Sequence, residues 1–254
     1  MCLPNAIKAS ALAAVVLLLV YLEVMPSIAG IVSPERPRDL GVRPTQEDLQ
    51  SAQSKLSIRG ARLREATVQA TPSARSTGLP WSEAAARTVD FSGSVVVRAT
   101  MNSEEITALV NSGRWKYYPV SDFQMRIGDD GLVEVSGLLR ADRLYGFGEV
   151  AGISPETVSL ALDKLRIANS TPAFYLRGVA SMAENRLKLD LQQIEVGRLT
   201  VPAKLVAENR GRITSLVEAG LNRVPGLAIR SATFDDGVLR LEGALPEVIS
   251  SVQE

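Results

Sequence analysis

Four aspartates are the side chains in this chain whose spacing best suits carboxylate chemistry. They come as two pairs, Asp129-Asp130 in "DDGLVEVSG" and Asp235-Asp236 in "DDGVLRLEG", offset by 106 residues (235 − 129). Adjacent carboxylates can share a proton or hold a divalent cation. Each pair runs straight into glycine between alternating apolar runs, however, and Asp-Gly there is a strong hairpin signal. Both central residues of a type I′ turn need φ > 0, which Asp tolerates and Gly adopts freely. No ligand series of the EF-hand kind follows either pair. The aspartates therefore read as turn residues.

The rest of the composition argues against a reaction. The chain has no histidine, so the commonest general base and metal ligand are both missing. Ser-His-Asp and Cys-His arrangements are thereby excluded, as are nearly all protein zinc sites. The single cysteine, Cys2, allows no internal disulfide and precedes the apolar leader, whereas a lipidated cysteine would follow it. "GFGEVAG" at Gly146 to Gly152 lacks the spacing and the strand–helix frame of a dinucleotide loop and reads as a flexible connection. The expectation is a protein that is not an enzyme and uses no cofactor or metal. A formal net charge of +0 gives no field favouring nucleic acid, and no basic stripe is present.

Binding is the chemistry left. Four aromatic residues and one methionine stand out in a chain with few aromatics. Trp115, Tyr117 and Tyr118 cluster beside Arg114 and Lys116 in "GRWKYYPV", and Phe123 and Met125 follow on an alternating strand. Aromatic and basic neighbours suit a membrane interface or the mouth of a groove. The plainer reading, which the patterning favours, is that the rings close the end of a core and that Phe123 and Met125 pack within it.

Elements that must position these residues follow from the patterning. Residues 1–32 form a leader: after Lys8 the chain is apolar from Ala9 to Leu22, about 21 Å of helix. Continued to Val32 it would cross a bilayer as an N-terminal anchor through residues 9–32. Read instead as a signal peptide, it would be cut after Ala29, releasing a secreted protein. Either reading puts the remainder outside the cytoplasm, although Arg36, Arg38 and Arg43 run against the positive-inside rule. Residues 33–88 form a proline-bearing tether and an N-terminal segment of unresolved type, apart from a short helix that Thr45 caps.

Residues 89–254 carry the folded α+β domain. "VDFSGSVVVRAT" reads as one strand. "NSEEITALVNSG" reads as a helix capped by Ser103 and stopped at Gly113, and a hairpin follows around Asp129. "SPETVSLALDKL" has Ser154 as cap and Pro155 at the first helical position. A hairpin with its turn at Glu184-Asn185 needs a bulge near Gln192-Gln193, because Leu187, Leu189 and Leu191 change parity at Ile194 and Val196. The helical stripe Ile213, Leu216, Val217, Gly220, Leu221 then leads to the second Asp-Gly hairpin. Helix followed by hairpin thus occurs twice. The predicted architecture is an N-terminal transmembrane helix plus a long twisted antiparallel sheet wrapping helices, built on that repeated unit.

The order of anchor, polar tether, "TQEDL" helix start, long hairpins and "VGRLTVPAKLV" from Val196 to Val206 resembles bacterial membrane-anchored proteins of the YpmS type. More distantly it is similar to the tubular lipid-binding (TULIP) superfamily, over roughly Thr45 to Pro246. The resemblance implies an extracytoplasmic, non-catalytic module that binds lipid or another apolar ligand in a groove of a curved sheet. The helix and closing hairpin also resemble the BON domain, which implies the alternative of a structural or assembly scaffold in a cell-envelope complex.

Overall fold

The structure, a computed structural model, describes residues 36–56, 89–113, 115–151, 153–165, 171–197 and 199–251. The leader, the stretches 57–70 and 71–83 and Arg114 lie outside the described residues. No helix among those described is long and apolar enough to cross a membrane. The expected transmembrane helix falls on residues that are not described.

The chain is α+β, with a strongly curled antiparallel sheet and a few helices. In order come α1 (Gln46–Lys55), β1 (Val89–Ser92), β2 (Val95–Asn102), α2 (Ser103–Asn111), β3 (Val120–Ile127) and β4 (Leu132–Leu139). Then follow α3 (Leu144–Ala151), α4 (Pro155–Leu165), β5 (Ala173–Ala183), β6 (Arg186–Val196), β7 (Leu199–Thr200) and α5 (Ala203–Asn222). β8 (Ala228–Asp235), β9 (Val238–Leu245) and β10 (Val248–Ser251) close the chain. The helix–hairpin order occurs twice, as α2–β3–β4 and α5–β8–β9.

The sheet is organised around β5. Strand β6 covers one edge of it from Phe174 to Ala183. Two strands divide the other edge, β4 taking Ala173 to Val179 and β8 taking Ser181 to Ala183. Both hairpins therefore point their turns at the middle of β5, and the two Asp-Gly phrases meet head to head. A side chain on Gly131 would come within 2.6 Å of the Phe234 carbonyl oxygen, and one on Gly237 within 3.4 Å of Asp129 Oδ1. The sequence offset carries over to the strands: β4 and β9 begin at 132 and 238 and end at 139 and 245.

The two turns nevertheless differ. Asp236 and Gly237 both have φ > 0, at 49° and 72°, as a type I′ turn requires. At the first copy Gly131 alone is left-handed, at 76°, and its N–H donates to the Gly128 carbonyl. A longer loop with a single left-handed glycine closes that hairpin, so the expectation of matching I′ turns is corrected there. Two additional residues lie between the strands, 128–131 against 236–237, and they leave only one residue needing the left-handed region.

Helix α2 closes the curl. It leaves β2 directly and lies along the free edge of β3. Ser103 and Thr107 Oγ atoms accept the N–H groups of Ile127 and Met125, at 3.0 and 3.1 Å, and Asn111 Oδ1 accepts that of Phe123, at 3.1 Å. Residues four apart on a helix rise about 6 Å, close to the about 6.7 Å between alternate strand residues. Three side chains on one stripe thus satisfy an edge that would otherwise stay exposed. Ser103 is consequently not the cap as expected. Asn102 caps α2, its side chain accepting from Glu105 N while the Glu105 carboxylate returns to Asn102 N.

Thr45 caps α1 in a capping box with Asp48, and Ser154 Oγ accepts Thr157 N at the start of α4. The Glu184-Asn185 turn has both φ values positive, and Gln192 is the additional residue of a bulge, since Arg177 pairs with Gln193 and Gly178 with Leu191. "VDFSGSVVVRAT" is two strands rather than one, broken where Gly93 takes φ 68°. "GFGEVAG" lies mostly in helix α3, not in a flexible connection. Gly146 is needed there because a Cβ would sit 2.3 Å from the Tyr117 ring. The expected tether does not stand off the domain: Leu40 and Val42 are buried with Tyr175, and α1 packs on α2.

Candidate functional site

The concave side of the curled sheet and the C-terminal half of α5 enclose an apolar cavity of about 190 Å³. Each element contributes the residues that strand alternation aims inward. Val133 and Val135 come from β4, and Leu239 and Leu241, their counterparts at the 106 offset, from β9. Leu176, Gly178, Ala180 and Met182 line it from β5, and Leu187, Leu189 and Leu191 from β6. Ile229, Ala232 and Phe234 enter from β8, Met125 from β3, and Val217 and Leu221 from the helix. Among the described residues, Ser181 supplies the one hydroxyl side chain of the lining, and no charged side chain reaches it.

The cavity is neither fully closed nor evenly exposed. Met125, Val133, Leu239 and Leu241 are buried, between 2 and 8% exposed. Ala180, Met182, Leu187, Leu189 and Leu191 are half-exposed. Val135, Ala232 and Phe234 share that partial exposure, so the buried end of the lining is made by Met125, Val133, Leu239 and Leu241. Helix α5 runs beside β6 at this rim, where Glu218 Oε1 accepts the Leu187 N–H at 2.8 Å and Arg210 holds Asp190 at 2.5 Å. Its lower half packs Val206 and Ile213 on Ile194 and Val201 in a second cluster.

Of the five expected contact residues, Met125 alone lines this cavity. Phe123 is 4% exposed and lines a separate, charged cleft with Arg36, Asp39 and Arg43. Trp115 and Tyr118 are core residues at 2 and 5% exposure; burial holds the Tyr118 hydroxyl well above its ordinary pKa. Tyr117 is half-buried, edge-on to Trp115, with its ring against Gly146. Trp115 also packs on Phe147. The cluster closes one end of the core, and the lining leucines of β6 were not singled out from the sequence. Their alternation was visible, but not which strand face would lack a full covering layer.

The aspartate pairs hold turns. Asp130 Oδ1 accepts Leu132 N, and Asp235 and Asp236 both engage Arg240. Among the described residues no group of three or more Asp, Glu, Cys or His is arranged to hold a metal ion.

Two carboxylates are more deeply placed. Glu105 accepts from Lys55 Nζ at 2.6 and 2.8 Å, from Ser51 Oγ at 2.5 Å and from Asn102 N at 3.0 Å. Burial alone would raise its pKa, but these donors outweigh it and hold the carboxyl below its ordinary value. Glu134 is lowered in the same way: burial opposes, and the Tyr175 hydroxyl and Arg126 prevail. Both tie elements together, Glu105 joining α1 to α2, Glu134 joining β4 to β3 and β5. Neither faces the cavity.

No protein-family model, curated protein or solved structure matches the chain at a significant level.

Proposed function

We propose that the chain is a non-enzymatic module that binds lipid or another apolar ligand by taking one hydrocarbon chain into the cavity between the curled sheet and α5. The observation that carries this reading is a lining with a single hydroxyl and no charge, half-open over β5 and β6. An apolar cavity of roughly 150 Å³ stays dry and accepts a benzene-sized guest. A helix about 10 Å across is too wide for about 190 Å³, whereas a single chain fits. The apolar leader at residues 9–32 supports a place at a membrane with the domain outside the cytoplasm, where such ligands are abundant. The resemblance to YpmS-type and TULIP proteins points the same way.

The test is photo-crosslinking of the full chain in its membrane with n-alkanols carrying a terminal diazirine. Label is expected on peptides spanning Leu187 to Leu191 and Met125 to Val135. Ala180→Phe, which fills the cavity, should reduce it at least tenfold while circular dichroism stays unchanged. Label spread evenly over the surface, or insensitive to Ala180→Phe, would reject the reading. A scaffold of an envelope complex would instead yield no cavity label.

A further inference from the structure

Resting on the reading that one hydrocarbon chain occupies the cavity, we infer that its sealed end is a length stop for that chain, with Met125 and Leu239 as the residues that set it. The exposure gradient gives the chain a direction. Leu187, Leu189 and Leu191 stand at the half-exposed rim, and Met125 and Leu239 lie at the far side, 8 and 6% exposed. Nothing charged lies inside to receive a polar head, and an unpaired charge or amide there would carry a heavy desolvation cost. The head of the ligand therefore stays at the β6 rim in water, and the methyl end points at β3 and β9.

The floor is held by side-chain bonds from α2. Thr107 Oγ1 accepts Met125 N at 3.1 Å and donates to Met125 O at 3.5 Å, while Ser103 and Asn111 fix the neighbouring N–H groups of Ile127 and Phe123. Strand β3 thus cannot drift outward to lengthen the cavity without breaking the row of bonds to α2. On the opposite wall Leu239 is paired with Met101 and Phe234 in the β2–β9–β8 ladder. The Met125 side chain itself is unbranched and adaptable, so the stop is set by its volume rather than by a rigid shape. Scaling from a six-carbon guest in roughly 150 Å³ gives room for about seven or eight carbons beyond the rim.

The experiment measures crosslinking yield against chain length for the full chain, using terminal-diazirine n-alkanols from four to fourteen carbons. The wild type is expected to label β6 peptides with the short probes. Label on the Met125 peptide should rise to a maximum near eight carbons and fall beyond it. Met125→Ala removes three heavy atoms and should move that maximum longer by about two carbons. Leu239→Phe should move it shorter, so a loss of folding in one variant leaves the other informative. A yield independent of length, or a maximum that neither substitution moves, overturns the length stop while leaving chain binding intact. Absence of cavity label at every length overturns the binding reading itself.

Discussion

At the scale of single residues, the deepest charge in the described chain is structural. Glu105 is 5% exposed, and its partners come from two places, Lys55 and Ser51 on α1 and the Asn102 backbone. Replacing it with Ala removes a reciprocal cap bond and strands Lys55. Breaking a fully buried pair costs 3–5 kcal/mol, but Lys55 is 40% exposed, so about 2 kcal/mol is expected in urea unfolding. The pH dependence follows from the lowered pKa. A carboxylate held below its unfolded value of about 4.3 contributes fully above that pH and loses its contribution as pH falls through the folded value. The wild type should therefore lose stability on acidification below about pH 4, and Glu105→Ala should flatten that loss. An unchanged acid limb in the variant would show that Glu105 is not the group responsible.

At the scale of elements, two devices decide the shape. The first is the row Ser103, Thr107, Asn111 against β3. Thr107→Val keeps the volume but leaves the Met125 N–H without an acceptor, which should cost about 1–3 kcal/mol, and Thr107→Ser should restore most of it. Hydrogen exchange should accelerate at Phe123, Met125 and Ile127 together, since one row protects all three. Faster exchange at Met125 alone would mean that the bonds act separately. The second device is the head-to-head meeting of the hairpin turns. Gly131→Ala meets both a left-handed backbone and the Phe234 carbonyl at 2.6 Å, whereas Gly237→Ala meets the backbone strain with 3.4 Å of space. The first substitution should cost more, by about 1 kcal/mol or above, in thermal unfolding. Equal costs would argue that the turns do not touch. The helix stripe and both Asp-Gly turns were legible in the sequence because their signals are local. The meeting of the turns was not, since it depends on which parts of β5 each hairpin takes.

At the scale of the whole molecule, residues 36–44 are part of the fold. Arg38 stacks at 3.7 Å over the Tyr175 ring and pairs with Glu195 at 3.0 Å, and Leu40 N donates to Gln124. Leu40 and Val42 are both 4% exposed on the outer face of the sheet. Residues 36–44 are thus a short docked strap rather than a loose cord. Leu40→Asp should release the strap at a cost of about 2–3 kcal/mol, from lost burial and a buried charge. Limited proteolysis within 36–44 should become at least tenfold faster. Unchanged cleavage would mean that the strap contributes no hold. The docking was hidden because it uses two isolated apolar residues with no periodicity to mark them.

The sequence by itself determined the elements whose determinants lie within a few residues. These are the hairpin turns, the Gln192 bulge that parity required, the caps at Thr45 and Ser154, and the absence of histidine chemistry. Only the tertiary structure decided where α2 lies, which turn type closes the first hairpin, and that Val133, Val135, Leu239 and Leu241 share one cavity. The physical reason is that alternation tells which residues leave water but not what they meet. A strand facing a packed core and a strand facing an unfilled cavity carry the same pattern, and long-range pairing alone separates them.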